Sequence, residues 1–204
     1  MPEPSHEQIL ALVRICSCVA LRDEPKLREE FQRALQQGLP VAEIREAVLQ
    51  TYLFAGYAAT INAFILLNEV TGDDSEFLQE ESGSLEQWKK QGEELCRKVY
   101  GSQYENLVQN MKRLHPDLAD WMIWEGYGKV LSRPFFSPVV RELLIVAMTA
   151  VLRVERQFYS HVRGALNVGA SAQQISSVFK EVKPYMDDNV SQHYQTILNG
   201  LLPA

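Results

Sequence analysis

No stretch of this 204-residue chain is apolar over the roughly 18 residues a membrane-crossing helix needs, so no membrane partner is expected. No block of five or more basic residues occurs, and 26 acidic against 20 basic residues leave a net charge of −6. Nucleic acid and anionic membrane surfaces are therefore poor matches for its electrostatics. Cysteine is scarce: Cys16, Cys18 and Cys96 are an odd number and too few for a disulfide framework. The first five residues lack the charged-then-apolar pattern of a secretory leader. With 46% hydrophobic and 23% charged residues, the composition is that of an ordinary globular protein. A cytoplasmic, reducing compartment is the expectation.

The apolar period is helical almost throughout. Ile9, Leu12, Val13, Cys16 and Ala20 step by three and four behind a capping box of Ser5 and Gln8. Asp23 caps a second helix that ends at Gly38, and Pro40 opens a third reaching about Phe54. A small-residue-rich fourth covers about 57–70. Ser84 and Gln87 open another that ends at Gly101. Further helices are expected at about 103–113, 117–130, 137–152, 155–168, 172–183 and 187–200. No alternating run of strand length competes with them, so the expected fold class is all-α.

Two helical hairpins share an order at an offset of 131 residues. Leu21-Arg22-x-Glu24 matches Leu152-Arg153-x-Glu155, and Ala34-Leu35-x-x-Gly38 matches Ala165-Leu166-x-x-Gly169. This predicts two similar repeats. The first covers 1–71 and the second 84–204, with an acidic, turn-rich linker at 72–83 between them. Hairpins built alike usually pack about a pseudo-twofold or associate as closed oligomers, so a homo-oligomer is expected.

Glu142 and His161 are the chemically richest pair. The turn between their helices falls near Arg153, 11 residues after Glu142 and 8 before His161. At about 1.5 Å per residue the two lie about 16 and 12 Å from the turn, within one helical turn of the same level. His161 shares an inward stripe with Val154, Phe158 and Ala165. A carboxylate that fixes the tautomer of a half-buried imidazole is the equipment of a proton-transfer site; a satisfied core histidine would look the same. The first hairpin has Ala11 and Glu30 at the matching positions, so its site is degenerate.

The stretch from Ser132-Arg133-Pro134 through Arg141-Glu142-Leu143, followed by His161-Val-Arg-Gly-Ala-Leu-Asn-Val-Gly, resembles the core segment of the carboxymuconolactone decarboxylase family and its relative alkylhydroperoxidase D. Glu94-Leu-Cys-Arg-Lys-Val-Tyr-Gly and Trp124-Glu-Gly-Tyr-Gly resemble its leading helices. The resemblance implies a compact all-α bundle that forms homo-oligomers, with a Glu 19 residues before the His, as Glu142 is. The peroxidase branch places a Cys-x-x-Cys where this chain has Val154 and Gln157, which disfavours disulfide-cycling chemistry.

The reading that follows is a decarboxylase-like enzyme acting on a small carboxylated or lactone substrate without a cofactor. His161 would move the proton, Glu142 would orient it, and Arg141 would bind a substrate anion. A thiol peroxidase relative and a catalytically silent helical binding module are the alternatives. His6, His115 and His193 lack partners at ligand spacing, so no metal is expected. The cysteines, and Trp121, Trp124 and Tyr127, read as core side chains. Arg133, Arg153 and Arg163 read as ion-paired or solvated.

Overall fold

Local signals set most helix boundaries in the computed structural model, which describes residues 3–72 and 83–202. The expected linker therefore lies almost wholly outside the described residues. Ser5 Oγ accepts the Gln8 N–H and Gln8 Oε1 accepts the Ser5 N–H, opening helix α1 (His6–Leu21). Asp23 accepts the Lys26 N–H at the start of α2 (Glu24–Gln36). Then come α3 (Val41–Gln50), the short α4 (Tyr52–Ala55) and α5 (Tyr57–Thr71). The second capping box, Ser84 with Gln87, opens α6 (Leu85–Tyr100). It is followed by α7 (Tyr104–Leu114) and α8 (Pro116–Trp121). The remaining helices are α9 (Pro138–Val151), α10 (Glu155–Asn167), α11 (Ala172–Val182) and α12 (Asp188–Leu201), which Asp187 caps. No strand occurs among the described residues, and the fold is all-α.

The expected helix at 117–130 differs in one respect. After Trp121 it widens into a π-helix over Met122–Leu131. The apolar spacing of Ile123, Tyr127 and Val130 fits either turn, so the widening left no mark in the period. Two glycines seat this π-helix on α6. A Cβ on Gly92 would stand 1.9 Å from the Ile123 carbonyl oxygen, and one on Gly128 would stand 2.0 Å from that of Trp88. The two backbones touch there, with no room for a side chain.

The 131-residue offset recurs in the coordinates. α2 and α10 begin and end at matching positions. Arg22 and Arg153 both take the left-handed backbone at the hairpin turn, with φ of 58° and 59°. Helix α1 packs on α9, and one apolar cluster runs through both hairpins, including Leu12, Ile15, Phe31 and Leu143, Met148, Phe158. The hairpins thus share a core. Burying the apolar side chains of helices such as α9, which is buried on every side, stabilises by about 25 cal/mol per Å² removed from water.

Candidate active site

The antiparallel hairpin of α9 and α10 brings Glu142 and His161 together. Their side chains meet with His161 Nδ1 2.8 Å from Glu142 Oε2, both residues buried. Gly164, three residues beyond His161 on α10, makes space for the carboxylate. A Cβ there would lie 2.8 Å from Oε2 and 2.7 Å from Val99 Cγ1. The imidazole is held edge-on by two rings, Phe54 of α4 with centroids 5.8 Å apart and Tyr100 of α6 at 6.5 Å. Nε2 has no hydrogen-bond partner among the described residues, nor is it sealed off as a buried unpaired atom. His161 instead lines a cavity of about 480 Å³. That volume suits a small organic ligand.

The cavity wall is mostly apolar. Leu53 and Phe54 come from α4, Leu107 and Met111 from α7, and Leu118 and Trp121 from α8. The π-helix contributes Met122, Glu125 and Tyr127; α10 contributes Arg156, Gln157 and Ser160. Trp121 and Tyr127, expected to be core side chains, therefore line the cavity. Tyr127 does so while remaining buried, and Trp121 is half exposed. Tyr100 and Tyr127 pack edge to face at 6.2 Å, and burial raises both phenols above their ordinary range. Both hydroxyls are thus kept protonated as donors. Tyr100 and Arg156 went unnoticed in the sequence, and only Tyr100's place in a family-like stretch pointed toward it.

Arg141 needs correction. It is 1% exposed and points away from the cavity, into the core beneath α3. Its Nη2 donates to Glu46 Oε1 at 2.5 Å, its Nη1 donates to Gln50 Oε1 at 3.0 Å, and Gln50 Nε2 returns a bond to the Arg141 carbonyl at 3.1 Å. Arg133 donates to the same Glu46 carboxylate at 2.9 Å. Burial lowers the Arg141 pKa and Glu46 counters it. The guanidinium is committed to the fold, so a substrate anion has no access to it. Arg153 pairs with Asp187 at 3.0 Å, and Arg163 donates to the Tyr159 hydroxyl at 3.3 Å. In the first hairpin Glu30, at the position matching His161, accepts from Arg14 Nε at 2.7 Å. No three His, Cys, Asp or Glu side chains among the described residues gather to hold a metal ion.

All three cysteines are buried and free. Burial pushes the Cys16 and Cys96 thiols up to about 12 and Cys18 up to about 11. None lines the cavity at His161, where Gln157 stands in the place of a family cysteine. At neutral pH these are inert thiols. The protein should show no thiol-dependent peroxide consumption, and a variant with Cys16, Cys18 and Cys96 all replaced by Ala should keep whatever turnover the wild type has. A coupled peroxide assay checks this; peroxide reduction that vanishes in the triple variant would overturn it.

The fold is a helical bundle with a buried Glu–His pair bordering a cavity. Residues 116–193 match the model of the Carboxymuconolactone decarboxylase family. The segment runs from α8 into α12 and contains both Glu142 and His161. Among relatives, the chain is 28% identical over 183 residues to Peroxisomal protein 2 of Schizosaccharomyces pombe, covering 86% of this chain and 83% of that one. It is 25% identical over 175 residues to Peroxisomal protein 2 of Saccharomyces cerevisiae, covering 72% of this chain and 60% of that one. No helix among the described residues is long and apolar enough to cross a membrane.

Proposed function

We propose that this protein is an acid–base enzyme of the decarboxylase type, acting without a cofactor on a small carboxylated or lactone substrate. One observation carries the reading. A buried carboxylate holds Nδ1 of His161 while Nε2 faces a cavity of substrate size. With Nδ1–H donating to Glu142, Nε2 carries the lone pair and acts as base; once protonated, the imidazolium is stabilised by the carboxylate beside it. In a decarboxylation the bonding pair left by departing CO₂ passes to the adjacent carbon and onto a conjugated carbonyl oxygen. The imidazolium then protonates that carbon and water restores its proton. Tyr100, a protonated phenol on the same wall, is placed to donate to the oxyanion. Small molecules released from the purified protein and from His161→Gln, identified by untargeted mass spectrometry, test the reading. A recovered carboxylic acid or lactone that the wild type converts supports it. Recovery of no ligand from either, with no conversion of such acids and lactones, counts for the silent binding module.

Two further parts of the reading rest on other observations. The matched offsets of α1–α3 and α9–α11 support two fused repeats, 1–71 and 84–204, with the pair kept only in the second. Helix α5 exposes Tyr57, Ile61 and Ile65 in one stripe at helical spacing, which supports a homo-oligomer. Light scattering at micromolar concentration should give a small multiple of 23.2 kDa, and Ile61→Lys should lower it. A clean monomer would sink this part. The relatives' name brings the peroxisome into the reading in place of the expected cytoplasm.

A further inference from the structure

The cavity beside His161 holds two charged groups besides the Glu142–His161 pair, and they are not equivalent. Glu125 is engaged: it accepts from the Tyr52 hydroxyl at 3.3 Å. Arg156 has no carboxylate or other hydrogen-bonding partner among the described residues. Most arginines here behave otherwise. Arg14, Arg28, Arg97 and Arg153 each pair with an acid, and Arg133 and Arg141 share Glu46. Arg156 sits five residues before His161 on α10, about 7.5 Å along the helix axis. The walls around it are hydrocarbon and aromatic, including Leu53, Phe54, Met111 and Trp121.

Arg156 is exposed at the cavity wall, so water solvates its guanidinium when the cavity is empty, and its planar fork is left free to take a carboxylate. The same wall offers no second cation for a second acid group, and the Glu125 carboxylate would repel one. We propose that Arg156 anchors the single anionic group of an otherwise apolar substrate. The site would thus take a monoanionic amphiphile and reject di- and tricarboxylates. Bound this way, the charged end stays about one and a half helical turns from the imidazole, and the apolar body lies along the wall toward His161. Arg156 is here a binding and specificity residue, with no part in moving the proton. The proposal rests on the reading of this cavity as the substrate site.

Octanoate, octan-1-ol and propane-1,2,3-tricarboxylate serve as probes, titrated calorimetrically into the full-length protein. Octanoate should bind saturably, octanol more weakly, and the tricarboxylate not at all. Arg156→Gln should weaken octanoate by about tenfold or more, the loss expected of one charge-assisted contact, and leave octanol unchanged. Arg156→Lys should restore part of the loss. Arg163→Gln, on a neighbouring polar pocket, should change neither, and His161→Gln should still bind octanoate. Circular dichroism checks that each variant is folded. Octanoate bound equally well by folded Arg156→Gln, or a tricarboxylate bound more tightly than octanoate, overturns the anchor alone. Failure of both octanoate and octanol to bind the wild type overturns the cavity reading, and the anchor with it.

Discussion

His161→Gln should lower turnover of the substrate by about 10²–10⁴-fold, the range set by losing a positioned acid–base group. Glu142→Gln should lose a comparable factor, for a different reason. The amide can still meet Nδ1, but it brings no charge to stabilise the imidazolium, and its NH₂ end would favour the wrong tautomer. Both variants should keep their helical content and their affinity for octanoate, since neither side chain is placed at Arg156. The loss should fall on kcat, with KM little changed, because the pair acts on the reacting atoms and the cavity walls are intact. Gly164→Ala is an independent check. Its methyl would stand 2.8 Å from Glu142 Oε2, so the carboxylate must swing aside and turnover must fall without either member of the pair being altered. Full turnover in folded His161→Gln or Glu142→Gln would remove the site from consideration.

The meeting of Glu142 and His161 was legible because it needs only the helix rise and the position of one turn. Arg153 adopts the left-handed backbone at that turn, as Arg22 does in the first hairpin, and the two spans of helix leading away from it reach levels within one helical turn of each other. Helix starts were legible because their signals are equally local: Ser5, Asp23 and Ser84 bond within three residues of themselves. The cavity wall was not. Tyr100, Trp121 and Arg156 come from three helices whose approach depends on how α6 seats on the π-helix and how α7 and α8 fold back. No period in one segment carries that information. Arg141 was misread although a signal existed. Adjacent helix residues point about 100° apart, so if Glu142 faces α10, Arg141 must face another neighbour. That neighbour is α3, whose Glu46 and Gln50 lie one turn apart and present two acceptors to it.

Glu46→Gln should destabilise the fold by about 3–5 kcal/mol, the cost of stranding a buried charge, and lower the melting temperature by about 10 °C or more. Glu46 is 3% exposed and receives two guanidinium groups, Arg141 at 2.5 Å and Arg133 at 2.9 Å. Arg141 cannot shed its proton to escape, because a guanidinium stays charged throughout the accessible pH range even when burial lowers its pKa. The substitution leaves a full positive charge with only neutral acceptors: Gln50, the Arg133 carbonyl at 3.3 Å and the face of Phe136, 5.1 Å away. Arg141 Nε already lacks a partner, so the site has no spare acceptor to offer. Replacing both members, Arg141→Met with Glu46→Gln, removes the stranded charge and should be less destabilising than Glu46→Gln alone. Octanoate affinity, measured below the lowered melting temperature, should be the same in the double variant as in the wild type, since this cluster faces the core and Arg156 faces the cavity. A Glu46→Gln variant within about 1 kcal/mol of wild type in urea unfolding would mean that water reaches Arg141 and that its burial is not what fixes α3 against α9.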